Sequence, residues 1–129
     1  MENLNDVSYF DQAIEDYKRG TTRMKEHLPE MTSSYFHFTE EAFKAGEIDK
    51  KNKQLMALAI SIYAQDEYCI IYHTKGAVEN GANETEVMET LAISAALGGG
   101  GSLCSSCYTC NGYIFPLPAK IPLIKLEGS

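Results

Sequence analysis

The stretch 66-DEYCIIYHTKGAVENGANETEVMETLAISAALGGGG-101 decides how the chain folds. Its first part reads as a helix over 66–80 that ends at Gly81, because glycine takes the left-handed backbone of a helix terminus without steric cost. Asn83 and Glu86 then stand at capping-box spacing, so a further helix is expected over about 84–97. Leu91, Ala92, Ala95 and Ala96 are apolar or small and favour close helix packing. The run 98-GGGG-101 cannot continue that helix cheaply, since each glycine costs about 1 kcal/mol relative to alanine. There the chain breaks or comes close to another backbone.

Working outward, the same period recurs. Asp6 or Ser8 caps a first helix expected to reach about Arg19, with Phe10, Ala13, Ile14 and Tyr17 at helical spacing and Gly20 as its end. Pro29 breaks a short segment. A second helix is expected from about Glu30 to Ala45, with Met31, Tyr35, Phe38, Ala42 and Phe43 as its apolar face and Gly46 as its C-cap. Asp49 caps a third helix containing Leu55, Met56, Leu58, Ala59 and Ile62. A last helix is expected to start near Ser102 and stop before Pro116. Pro116, Pro118 and Pro122 make the remainder extended, and its apolar Ile121, Leu123, Ile124 and Leu126 imply that it docks on the core or on a neighbouring subunit. No strand pattern competes. The expected fold is all-α, one helical domain over 1–115 with a proline-rich tail over 116–129.

Bulk properties narrow the function. A chain of 129 residues with 44% hydrophobic content suits one compact domain. A net charge of -7 repels phosphate backbones, so nucleic acid is not an expected partner. The N-terminus lacks the basic and apolar regions of a secretion signal, and no run reaches the roughly 18 apolar residues of a membrane span. The expected location is cytoplasmic, with no membrane partner. In that reducing compartment the four cysteines read as catalytic, metal-binding or buried thiols, not as a disulfide framework.

Chemistry concentrates in 66-DEYCIIYH-73. On a helix Asp66, Cys69 and His73 fall at i, i+3 and i+7, one stripe on which the three side chains can meet. A carboxylate can orient an imidazole, and an imidazole can take a thiol proton. A thiol near a helix N-terminus also has its thiolate favoured by the macrodipole. Against this stands the plain alternative that Cys69, flanked by Ile70 and Ile71, is a buried core residue. Tyr68 and Tyr72 flank the stripe and read as aromatic core packing in preference to pocket lining. His27 and His37 show no partner pattern.

The helix 53-KQLMALAISIYAQ-65, the His-Thr-Lys and Gly-Ala of 73–77, the capped acidic helix and the glycine run together resemble the carboxymuconolactone decarboxylase and alkylhydroperoxidase D-like family over about residues 30–112. The small single-domain branch is the most similar. The resemblance implies an all-helical homo-oligomer, a trimer or hexamer, acting on a small-molecule substrate. Redox members of the family carry Glu-(eleven residues)-Cys-x-x-Cys-x-x-x-His, in which the second thiol attacks peroxide, the first resolves it, and Glu and His relay protons. In this chain His73 matches the histidine and Cys69 the attacking cysteine, but Asp66 replaces the first cysteine and Gln54 the glutamate. The resemblance therefore implies an alkylhydroperoxidase-like thiol oxidoreductase with a departed motif. Its site is Cys69, His73, Asp66 and Gln54, with no cofactor. Lactone decarboxylation is disfavoured, since it calls for cationic groups and only Lys75 lies near the motif.

A second cluster, 104-CSSCYTC-110, keeps three readings open. The cysteines replace alanine in a packed helix. Or Cys104 or Cys107 is a displaced resolving thiol for Cys69, a role an external thiol reductant could also fill. Or Cys104 and Cys107 join Cys69 and His73 around zinc or an iron–sulfur cluster. A metal-binding protein and a non-catalytic helical oligomer are thus the alternatives to the enzyme.

Overall fold

The computed structural model describes residues 9–102, and among these every regular element is helical, without a strand. Five helices follow one another: α1 Tyr9–His27, α2 Pro29–Phe43, α3 Lys50–Tyr63, α4 Glu67–Glu79 and α5 Glu84–Gly98. Helix α3 packs against both α4 and α5, α1 packs on α2 and α4, and α2 touches α3. The expected tail and the 104–110 cysteines lie outside the described residues.

The first boundaries differ from expectation. Gly20 does not end α1, which runs on to His27. A lone helical glycine costs only about 1 kcal/mol, and the hydroxyls of Thr21 and Thr22 fold back onto the Lys18 carbonyl as helical side chains do. Pro29 is the first residue of α2, the position where a missing N–H costs nothing. That helix ends at Phe43 with Lys44 as its C-cap. Gly46 takes no part in the cap; its N–H donates to the Ile48 carbonyl.

The middle boundaries match. Asp49 caps α3, its carboxylate accepting from the Asn52 N–H at 2.7 Å. At the end of α3, Gln65 adopts φ 55, a left-handed conformation. Its N–H donates to the Ile62 carbonyl and that of Asp66 to the Ser61 carbonyl, the paired bonds of a Schellman motif. The end of α4 repeats the scheme with glycine at the left-handed position: Gly81 has φ 95, and Gly81 and Ala82 donate to the carbonyls of Val78 and Ala77. Asn83 and Glu86 then form the expected capping box. Glu86 also accepts from Lys51 at 2.8 Å, tying the start of α5 to the start of α3.

The core sits between α3, α4 and α5. Leu58, Ile62, Ile70, Ala77, Val87 and Leu91 are sealed there, each of the larger ones contributing about 1.5–3 kcal/mol by leaving water. The Ser94 hydroxyl crosses from α5 to the Ala59 carbonyl of α3 at 2.9 Å. The expected apolar face of α2 is not a core face within this chain: Met31, Tyr35 and Phe38 are exposed, Phe38 at 70%. The glycine run does break α5. Gly99 takes φ 73, and helical geometry resumes at residues 100–102, slightly before the expected Ser102. A Cβ at Gly98 would collide with the Ser102 side chain, so this glycine is a close approach.

Candidate functional site

One pocket of about 300 Å³ gathers the candidate residues. Helix α4 supplies Tyr68, Cys69, Tyr72 and His73. Helix α3 supplies Gln54, α1 supplies Tyr17, and α2 closes the other side with Tyr35, Phe36, Thr39, Glu40 and Phe43. The octapeptide is therefore neither a sealed core segment nor an open surface. Cys69 and His73, one turn apart, are both partly buried on the wall of a cavity.

His73 is held from three sides. Its Nδ1 lies 2.8 Å from Gln54 Oε1. An amide oxygen only accepts, so Nδ1–H donates and the neutral ring carries its free lone pair on Nε2. Phe43 stacks on the ring with centroids 5.3 Å apart, and Tyr72 meets it edge-on at 5.2 Å. Burial holds the imidazole pKa below the usual 6.5, a shift the negative Asp66 partly opposes. At neutral pH the group is an uncharged base. Gln54 reaches it because residue 76 is glycine: a Cβ there would stand 2.6 Å from Gln54 Oε1.

Asp66 does something other than orient the imidazole. It is the N-cap of α4, and its carboxylate accepts the Cys69 backbone N–H at 3.1 Å. Its influence on His73 is through charge. The same charge works against the Cys69 thiol. Burial first, then the hydrogen bond and negative charge of Asp66, push that thiol up to about 11. The lowered thiol pKa expected from the helix terminus is thus reversed, first because burial disfavours the thiolate and then because the capping Asp66 adds its negative charge beside the sulfur. Cys69 is a free thiol. Among the described residues no three His, Cys, Asp or Glu side chains are placed to hold a metal ion. The other ligands of that alternative, Cys104 and Cys107, lie outside the described residues.

Sequence reasoning missed the aromatic wall. Tyr17 and Tyr68 stack nearly parallel, 4.0 Å apart with 9° between planes, and Tyr72 continues the row 5.9 Å from Tyr68. Tyr68 and Tyr72, expected as core packing, line the pocket instead, Tyr72 exposed. Burial raises the pKa of Tyr17 and Tyr68, so both remain phenols. The signal was present in the apolar positions of the first two helices, where Tyr17, Tyr35 and Phe43 recur, but periodicity does not say which face meets a cavity.

A short helical domain thus carries a histidine–amide pair and a thiol on the wall of one aromatic pocket. The family model for the carboxymuconolactone decarboxylase family matches residues 29–105. The chain belongs to that family. Its fold is similar to the crystal structure of a carboxymuconolactone decarboxylase family protein from Legionella pneumophila, with TM-score 0.76 and 28% identity, covering 81% of this chain and 93% of that one. A Thermotoga maritima protein shares the fold at TM-score 0.73 and 24% identity, over 79% of this chain and 89% of that one. Among curated sequences, an uncharacterized protein of the cox locus of Paracoccus denitrificans is 33% identical over 67 residues, 52% of this chain. An uncharacterized protein of Cupriavidus necator is 28% identical over 72 residues, 56% of this chain. The matches span 60% and 64% of those two relatives' own lengths. No helix among the described residues is long and apolar enough to cross a membrane.

Proposed function

We propose that the pocket is the active site of an alkylhydroperoxidase-like thiol oxidoreductase whose thiol is protonated at rest. The observation that carries this reading is the placement of Cys69 and His73, one helical turn apart, on the wall of one cavity. With its thiol pKa near 11, Cys69 is not a ready nucleophile at neutral pH. A base must take its proton as it reacts, and neutral His73 is the base present. The sulfur attacks the distal oxygen of a hydroperoxide and the O–O bond breaks. The leaving alkoxide takes up the proton, giving an alcohol and a Cys69 sulfenic acid. A second thiol condenses with that acid, releasing water and forming a disulfide. Cys104, Cys107 or an external thiol reductant would serve, and such a reductant belongs to the reducing cytoplasm. Gln54 keeps His73 in the tautomer this step needs.

A second reading follows from the raised thiol itself. If the sulfur is inert, His73 works alone as a general base on a small substrate. Two variants separate the two. Cys69→Ser abolishes hydroperoxide reduction under the first reading; under the second, the wild-type protein has no such activity to lose. His73→Ala costs roughly 10²–10⁴-fold of that reduction under the first reading, the usual worth of a positioned base. Hydroperoxide consumption with dithiothreitol as reductant is the assay. Wild-type protein that consumes no hydroperoxide sinks the first reading.

The exposed apolar residues support assembly with copies of the chain as part of the same proposal. Phe38 on α2 and Leu97 on α5, 78% exposed, are large side chains with no cover among the described residues. Light scattering giving a trimer or hexamer mass is the expected result.

A further inference from the structure

We infer that the ligand of this pocket is an uncharged, flat, single-ring aromatic molecule, and that the site turns away carboxylates. The inference rests on the reading of the pocket as a substrate site and adds the class of molecule. The observations are the makeup of the walls. Tyr17 and Tyr68 form a parallel stack at 4.0 Å, a flat surface that a further ring extends with little loss of freedom. Phe43 and Tyr72 bracket His73. The cavity, about 300 Å³, is at the small end of the roughly 300–1,000 Å³ range of ligand pockets.

Charge decides between ligands of that shape. No lysine or arginine lines the pocket among the described residues, and Glu40 does. Asp66 lies just behind, and its negative charge is felt by Tyr17, Tyr68, Cys69 and His73. His73 is neutral. An anion entering here would be desolvated with no countercharge and two carboxylates nearby, which is the costly arrangement. The hydrogen-bonding groups on offer suit a neutral polar substituent instead: tyrosine hydroxyls that stay protonated, the Thr39 hydroxyl, and the free imidazole nitrogen. A cation would meet Glu40, but that carboxylate is exposed and its attraction is screened by water and salt, so it gives a cation little advantage over a neutral ring. Within the proposed reaction the substrate is then an aryl-substituted hydroperoxide.

The test uses three probes with one ring and three charges. p-Cresol, 4-hydroxyphenylacetate and tyramine are titrated into the full-length Cys69→Ser protein at pH 7, with ring and imidazole NMR signals as the readout. Removing the sulfur keeps the binding result separate from the fate of the thiol chemistry. The expected order is p-cresol first, with 4-hydroxyphenylacetate at least tenfold weaker and tyramine no tighter than p-cresol. Glu40→Gln, an exposed position, should narrow the gap for the anion severalfold, and Tyr17→Ala should weaken all three together. Binding of the anion as well as p-cresol, tighter binding of tyramine, or no shift at His73 with any probe would overturn the inference. Ligand binding in this order by a wild-type protein that reduces no hydroperoxide supports the inference while removing the thiol reading.

Discussion

Leu58, Ile62, Val87 and Leu91 are sealed between α3, α4 and α5, whereas Met31, Tyr35 and Phe38 on α2 stand in the open. Both sets recur at helical spacing, and Leu58 and Ile62 on one side and the three α2 residues on the other were read alike as apolar helix positions. The difference is in what lies opposite. Helix α3 meets two other helices along its length; α2 meets α1 and touches α3. Apolar periodicity states that a face needs cover, not that the same chain provides it. The site spans the seam. His73, Gln54 and Cys69 ride on the sealed half, while Tyr35, Phe36 and Phe43 of the open arm form the facing wall. Substitutions in the first half should decide whether the protein folds, and those in the second what it holds.

The largest expected effect tests that division directly. Leu58→Ala or Ile62→Ala should cost about 2–5 kcal/mol in urea unfolding, because each leaves a hole in a core with no slack. Phe38→Ser should shift the stability of the monomeric fold by no more than about 0.5 kcal/mol. Equal costs at the two positions would erase the contrast.

Gly76→Ala comes next and acts on the site more than on the fold. The added Cβ would meet the mobile end of Gln54, which can swing aside. The change in stability should stay within about 1 kcal/mol, since a lost hydrogen bond is offset by alanine's better helix propensity. The Gln54–His73 link should break, visible as a changed imidazole tautomer pattern in ¹⁵N NMR. An unchanged pattern would show that Gln54 has another route to the ring.

Asp66 separates two roles with two substitutions. Asp66→Asn keeps a cap oxygen and loses the charge; Asp66→Ala loses both and should cost about 1 kcal/mol more in stability. Either should bring the Cys69 pKa down from about 11, because the carboxylate is what adds to the effect of burial. Alkylation rate against pH reads this, with the midpoint moving to lower pH in both variants. A midpoint that does not move would assign the whole shift to burial.

The smallest effect concerns the two ends of α4. The same hydrogen-bond scheme is built on Gln65 at one corner and Gly81 at the other. A side chain at positive φ is strained by roughly 1–2 kcal/mol, partly balanced by the greater freedom of an unfolded glycine. Gln65→Gly should therefore stabilise by about 0.5–1 kcal/mol in thermal unfolding. Gly81→Ala should destabilise by a similar amount or more.

Much of this was legible in the residues. Asp49, Gly81 and the Asn83–Glu86 box fix their helix ends through local hydrogen bonds, so a few positions suffice to read them. Cys69, His73 and Gln54 were found through one helical stripe and a family spacing, and the pocket brings all three together. Gly20 misled because a glycine within a helix and one after it look alike until the neighbouring carbonyls are placed. The role of Asp66 misled for a similar reason: stripe geometry puts a carboxylate near an imidazole, but the backbone N–H of Cys69 is nearer and takes it. The aromatic wall depends on how α1 and α2 lie over α4, which no local pattern encodes.

Asp66 is at once the residue that completes the end of α3 and the cap that opens α4. No spare residue separates the two helices, so the corner works as a counter. Gln54 and His73, 19 positions apart, face each other only at this chain length. One residue inserted or deleted at the corner would turn α4 by about 100° about its axis and carry the imidazole off the pocket wall. The loop between α2 and α3 does not set how Gln54 faces His73, only where Phe43 lies on the ring, so changes in its length should leave the dyad itself in place. The protein thus measures out its site along the chain, and its tolerance of insertions is the record of where that measuring is done.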